Sequence, residues 1–242
     1  MSSQGQIFVG RAIYQNGKWN YPSLKNCETI VVMSTSYSPW SHLSPYCLKD
    51  EKGRILENVW QFSKVYAEVP ESKQYKNRYT REVIWEYPRE VHMKKNELTP
   101  EYWIWRKKGM YCEHPVRYPV GYNHRHKCLF ALKKRSGSRL DYIESRKAIY
   151  VPLYSKAVKK EPKFDKLVKM VQNGTRILIV EVDGPHQESS QYYSEKYDCP
   201  DNFIKHNCMK ASEKNLNLML NDGKHPFGHG YCLAQALIDT IE

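Results

Sequence analysis

Glu57, Gln61 and Lys64 set a carboxylate, an amide and an amine at spacings of four and three, in a stretch that reads as a helix over residues 56–67. At about 100° per residue the three fall within roughly 60° of one another. Leu56, Val59, Trp60, Phe62, Val65 and Tyr66 fill most other directions. The narrow polar stripe is therefore expected to face a cleft rather than open water. In a cleft the carboxylate can act as acid or base and the amide can orient a substrate, while the amine serves as nucleophile or positive charge. The competing reading is an ordinary Glu–Lys pair on a helix covered by other elements.

Two further segments carry groups of this kind. Glu181-Val182-Asp183-Gly184-Pro185-His186 closes a strongly apolar run, and strand ends with their following loops commonly hold ligand groups. Glu181 and Asp183 are expected on one strand face, where two carboxylates could share acid–base work. Asp and Gly also simply begin turns. His225-Pro226-Phe227-Gly228-His229-Gly230 precedes an apolar stretch. Glycines ahead of a helix let the backbone approach a ligand, and free first-turn N–H groups suit an anion such as phosphate. No Gly-Lys-Ser/Thr follows, so this is not a P-loop. The two histidines have no third candidate ligand nearby, and no metal site is expected.

The elements that must position these groups are partly legible. Residues 29–34 and 177–182 read as strands, the second as a continuous apolar run typical of a buried position. Residues 141–158 and 163–172 read as helices, the latter closed by Asn173-Gly174. Residues 230–241, apolar on nearly all sides, read as a buried helix. Residues 80–135, where Trp85, Trp103, Trp105, Tyr111 and Tyr118 alternate with charges and prolines, are expected to mix helix and loop. No repeat, low-complexity linker or composition break divides the chain. The expected fold is α+β, predominantly helical: one domain over residues 1–242 with a small sheet and a buried C-terminal helix.

Composition bounds the rest. The 242 residues carry 38 Lys+Arg against 26 Asp+Glu, a formal charge of +12, which points to a polyanionic partner without specifying it. Lys133 to Arg139, with its Ser-Gly-Ser, reads as an exposed basic loop, and Lys156 to Lys169 as a helix with a solvated lysine face. Ordinary solvated charge accounts for both equally well. The mean hydropathy of −0.74 is low because apolar content comes heavily from rings: 19 Tyr, 6 Trp and 6 Phe. No segment approaches the roughly 18 apolar residues of a membrane span, and MSSQGQIFVG lacks the layout of a secretion signal. The seven scattered cysteines show no paired spacing, which suits free thiols in a reducing compartment, cytoplasmic or nuclear. Asn173-Gly174-Thr175 is then a chance glycosylation pattern.

These segments together resemble the NADAR (YbiA-like) superfamily. Leu43-Ser44-Pro45-Tyr46, a glycine turn and then Glu57-Asn58-Val59-Trp60-Gln61-Phe62-Ser63-Lys64-Val65 are similar to that family's opening Leu-Ser-Asn-Phe and its Glu-His-Tyr-Phe-Gln-Ala-x-Lys-Phe helix. Arg146-Lys147-Ala148-Ile149-Tyr150 stands where the family has Arg-x-x-Val-Met. Lys163-Phe164 with Leu167, Ile179-Val180-Glu181 with Asp183, and Phe227-Gly228-His229-Gly230 leading into the last helix follow in the family's order, over roughly residues 30–240. Asn58 replaces the family's helix histidine, Pro45 its asparagine, and Gly184-Pro185-His186 its Trp-Gly; residues from about 70 to 140 form an insertion.

The resemblance implies N-glycosidase chemistry at a nitrogen–ribose bond. Breaking that bond builds positive charge on the ribose ring, so a nearby carboxylate must stabilise it, and a second group must protonate the leaving nitrogen or activate water. The implied catalytic residues are Glu57 as principal carboxylate, Asp183 as the second, and Lys64 as Schiff-base nucleophile or phosphate ligand. A nucleophilic amine needs a depressed pKa. Trp40 or Trp60 could stack on a base, and Ser44, Gln61, Arg146, Gly228, His229 and Gly230 complete the expected substrate-binding set, with no cofactor. Removal of ADP-ribose from guanine in nucleic acid suits the charge best. A small ribosylated metabolite of the riboflavin pathway is the alternative substrate. A non-catalytic nucleic-acid-binding module is the alternative class, since rings and cations interleave in Tyr102-Trp103-Ile104-Trp105-Arg106-Lys107-Lys108. Core packing of those rings is the plainer reading.

Overall fold

The computed structural model describes residues 4–33, 38–75, 84–135 and 137–241. Its helices in chain order are α1 (Leu56–Gln61), α2 (Pro100–Met110), α3 (Tyr142–Ser145), α4 (Val151–Val158), α5 (Pro162–Gln172), α6 (Ser190–Tyr197), α7 (Glu213–Asn221) and α8 (His229–Ile241). A π-helical turn, Arg146–Tyr150, joins α3 to α4. The chain is a mixed α+β protein, about 39 % helix and 20 % strand, so helix outweighs strand as expected. The backbone gathers into two compact units: residues 1–44 with 154–242, and residues 45–153.

The first unit is built on a four-stranded sheet of β1 (Ile7–Arg11), β2 (Glu28–Val31), β3 (Ile177–Glu181) and β4 (Cys208–Lys210), in spatial order β4-β1-β3-β2. β3 runs parallel to both neighbours, with Ile179 opposite Val9 and Ile30. β4 joins antiparallel at the far edge. Every residue of β3 is buried, as a central parallel strand covered on both faces requires. α8 packs on β1 and β3 and against α5 and α7. Phe164, Leu167 and Val171 form the buried stripe of α5; its exposed lysines include Lys166 and Lys169. Gly174, at φ +88, closes α5 as expected. The expected strand at 29–34 is β2, one residue earlier at its start; Ser34 lies outside the described residues.

Rings make the core of the second unit. Phe62 meets Trp85 and Trp105 at centroid distances of 4.7 and 4.6 Å, and Trp85 stacks on Tyr87 at 5.5 Å. α2 starts at Thr99, whose hydroxyl accepts the Tyr102 N–H, with Pro100 in the first turn. Tyr102 and Trp105 point inward and are fully buried, so the aromatic–basic stretch serves the core, as the plainer reading had it. Residues 80–135 hold more strand than expected: Trp85–Tyr87 pairs with Ser72–Gln74, Glu90–Val91 with Glu68–Val69, and Met93–Lys94 with Glu97–Leu98. These are two- and three-residue pairings, too short to leave a period in the sequence. Residues 76–80 and 81–83 lie outside the described residues.

Candidate active site

The second unit carries Glu57, Trp60, Gln61, Lys64 and Arg146; the first carries Trp40, Ser44, Asp183, Gly228, His229 and Gly230. In the second unit the expected helix over 56–67 is corrected. α1 ends at Gln61, and Lys64 begins a two-residue strand, Lys64–Val65, paired antiparallel with Phe130–Ala131. The Ser63 hydroxyl donates to the Trp60 carbonyl at 2.7 Å, and the Leu132 N–H donates to the Ser63 carbonyl at 2.8 Å. A serine that satisfies the last turn and a β-branched Val65 with a ladder partner both favour stopping the helix. The three side chains nevertheless stay in a row. Lys64 Nζ donates to Gln61 Oε1 at 2.9 Å, and Gln61 Nε2 donates to Glu57 Oε1 at 2.8 Å.

Burial separates this row from a surface pair. All six residues of α1 are buried, and Glu57 is only 5 % exposed. Glu57 sits in the first turn, where the helix dipole favours a negative charge. The Lys64 ammonium lies 4.9 Å from the centroid of the Trp60 ring, which in turn packs on Tyr150 at 5.0 Å. Trp60 thus covers the lysine as a cation–π partner. Arg146 is buried at the start of the π-helical turn, its guanidinium 3.9 Å from the Tyr142 ring centroid.

Two residues outside the expected site set hold the row in place. Asn58, fully buried, donates to the carbonyls of Cys112 at 3.0 Å and His114 at 2.9 Å, and accepts the Val116 N–H at 2.7 Å. Arg106 donates to the carbonyls of Ser63, Leu132 and Lys133 and to the Tyr102 hydroxyl. Asn58 therefore anchors α1 to the segment after α2, and Arg106 ties down the backbone beside Lys64. A polar residue amid an apolar helix was the available signal for Asn58. For Arg106 the sequence offered only its place in a basic run.

In the first unit the carboxylate that stands out is Glu181, 1 % exposed. Its Oε2 accepts the Asp183 N–H at 3.0 Å and lies 3.6 Å from His229 Nδ1; its Oε1 accepts the Gly230 N–H at 3.3 Å. A Cβ on Gly228 would fall 1.7 Å from Glu181 Oε1. Gly228 before α8 and Gly230 in its first turn thus let the backbone close on a carboxyl group, and that group is the chain's own Glu181. His229 is the first residue of α8, its Nε2–H donating to the Val32 carbonyl at 3.0 Å. Asp183 does not share a strand face with Glu181, because β3 ends at Glu181 and Asp183 lies half-buried in the following turn. Trp40 is buried with Lys166 Nζ 5.4 Å from its ring centroid, and Ser44 is fully buried after a short 3-10 turn, Ser41–Leu43.

All seven cysteines are free. Among the described residues no group of three His, Cys, Asp or Glu is placed to hold a metal ion, and no helix is long and apolar enough to cross a membrane. Comparison with known protein families, with curated proteins and with solved structures finds no match for this chain.

Proposed function

We propose that the protein is an N-glycosidase that hydrolyses a base–ribose bond and removes ADP-ribose from guanine in nucleic acid. The observation that carries this reading is the hydrogen-bonded row of buried Glu57 and Gln61 with half-buried Lys64. An oxocarbenium-like ribose needs a carboxylate held at the anomeric carbon and shielded from water, where its charge acts at low dielectric. Glu57 supplies the carboxylate. Gln61 spends its N–H₂ on Glu57 and its carbonyl on Lys64, so the amide holds acid and amine at a set separation. Lys64 donates to the Gln61 carbonyl and lies beside the Trp60 ring, contacts that suit an ammonium. That favours a phosphate-binding role over Schiff-base attack. The net charge of +12 supports a polyanionic substrate.

The test is incubation with DNA bearing ADP-ribosylated guanine, reading free ADP-ribose by mass spectrometry. Glu57→Gln is expected to cut release by about 10²–10⁴-fold with the substrate still bound. Lys64→Ala is expected to raise KM more than it lowers kcat. Asp183→Asn, made in the first unit, asks separately whether that carboxylate takes part. Wild-type binding without release would make the protein a binding module. Turnover of a small ribosylated pyrimidine in place of the nucleic acid would make it a metabolic N-glycosidase.

A further inference from the structure

Ser189, His225 and Asp222 of the first unit are joined in a defined order. Ser189 Oγ lies 2.8 Å from His225 Nε2, and His225 Nδ1 lies 2.6 Å from Asp222 Oδ2. Asp222 is fully buried and His225 is 7 % exposed. The order hydroxyl, Nε2, Nδ1, carboxylate is what nucleophilic acyl transfer by serine requires, on any fold and in any sequence order. We propose that Ser189 is the nucleophile of a second hydrolytic site, acting on carboxylic esters, with His225 as its general base and Asp222 as the group that orients the imidazole. This site is independent of the glycosidase reading.

Three features beyond the distances support it. First, the tautomer is determined by Asp222. Burial pushes its carboxyl upward, but hydrogen bonds from Tyr192, His225, the Lys224 N–H and Tyr193 outweigh burial and hold it below the ordinary carboxylate range. An ionised Asp222 has no proton to give, so in the neutral imidazole it selects the tautomer with the hydrogen on Nδ1, the one whose Nε2 can accept from Ser189. Second, Ser189 is the N-cap of α6 yet makes no capping bond. A serine there ordinarily accepts a first-turn N–H; here the hydroxyl turns to His225. Third, the rings of His186, Tyr192 and Tyr193 stand 4.8, 5.4 and 5.2 Å from the His225 ring and wall it from water. Ser189 itself lies half-buried at the end of an otherwise exposed turn, within reach from solvent.

Ser189 Oγ bonds to the ester carbonyl carbon as its proton passes to His225 Nε2, and the carbonyl π pair moves onto oxygen. That pair returns, the C–O bond to the alcohol breaks, and the alkoxide takes the proton from Nε2. Water then repeats the sequence on the acyl-serine, releasing the carboxylic acid and restoring the hydroxyl.

The experiment uses a fluorophosphonate probe on the full chain, peptide mapping by mass spectrometry, and turnover of p-nitrophenyl acetate. Expected are phosphonylation at Ser189, its loss in Ser189→Ala with unchanged circular dichroism, and ester turnover at least about 100-fold lower in that variant. Labelling in His225→Gln is expected to be at least tenfold slower. Folded wild-type protein that takes no label at Ser189 overturns the proposal, as does ester turnover equal in wild type and Ser189→Ala. If His225→Gln does not fold, Ser189→Ala alone decides.

Discussion

At the scale of single residues, two positions bear chemistry that their types alone do not announce. Gly228 lacks a side chain because Glu181 occupies the space: a Cβ would meet Oε1 at 1.7 Å, the Glu181 carboxyl carbon at 2.6 Å and Asp183 Cβ at 2.8 Å. Since Glu181 is buried and bonded on both oxygens, it cannot simply swing away. Gly228→Ala is therefore expected to cost about 1–3 kcal/mol as an overpacked substitution, measured as the shift of the urea midpoint at unchanged m-value. His92 is the second position. It is fully buried against Trp105 and Tyr102, at ring-centroid distances of 5.0 and 5.6 Å. Burial lowers its pKa from 6.5 to about 4, with Glu101 opposing only in part. The unfolded chain takes up a proton near pH 6.5 and the folded chain does not, so this residue's contribution to stability is lost as pH falls from 6.5 toward 4. Urea midpoints at pH 7 and pH 5 are expected to differ less for His92→Phe than for wild type. An equal difference in both proteins would assign the acid sensitivity elsewhere.

Among elements, α1 shows what the sequence could and could not disclose. β3 and α8 were legible because a continuous apolar run and an all-round apolar helix are strong local signals. The end of α1 was not. Its periodicity continues through Lys64, but the chain leaves the helix to pair with Phe130–Ala131, contributed from far along the sequence. No local pattern encodes that partner. The polar row itself was legible, since a four-three spacing keeps the side chains adjacent whether Lys64 belongs to the helix or to the strand that follows. Asp183 was misplaced for a related reason: alternation holds only while the strand lasts. The Asn58 clamp gives this scale its prediction. Asn58→Ala leaves two half-buried carbonyls and one buried N–H without their side-chain partner, and is expected to cost about 2 kcal/mol. Gly109 of α2, where a Cβ would lie 2.0 Å from the Phe62 ring, offers a parallel test of the α1–α2 contact. Gly109→Ala is expected to lower stability by about 1–3 kcal/mol.

For the whole chain the governing quantity is the charge of +12. In the aromatic–basic stretch Tyr102 and Trp105 are spent on the core, so the proposed affinity for nucleic acid is expected to come chiefly from exposed cations, through counterion release. Lys133 and Lys134 are exposed beside Arg135; Ser136 of that loop lies outside the described residues. Each phosphate neutralised on a single strand contributes a slope of about −0.7 to log K against log salt. Binding of ADP-ribosylated single-stranded DNA is therefore expected to weaken steeply as salt rises from about 50 to about 200 mM. Lys133→Ala/Lys134→Ala is expected to reduce the slope by up to about 1.4, two phosphates' worth, while release of ADP-ribose from a modified mononucleotide stays unchanged. A slope near zero in the wild type would mean that the charge serves solubility alone. The proposed glycosidase activity would then be directed at small ribosylated metabolites, because a substrate without a backbone gives the basic surface nothing to neutralise.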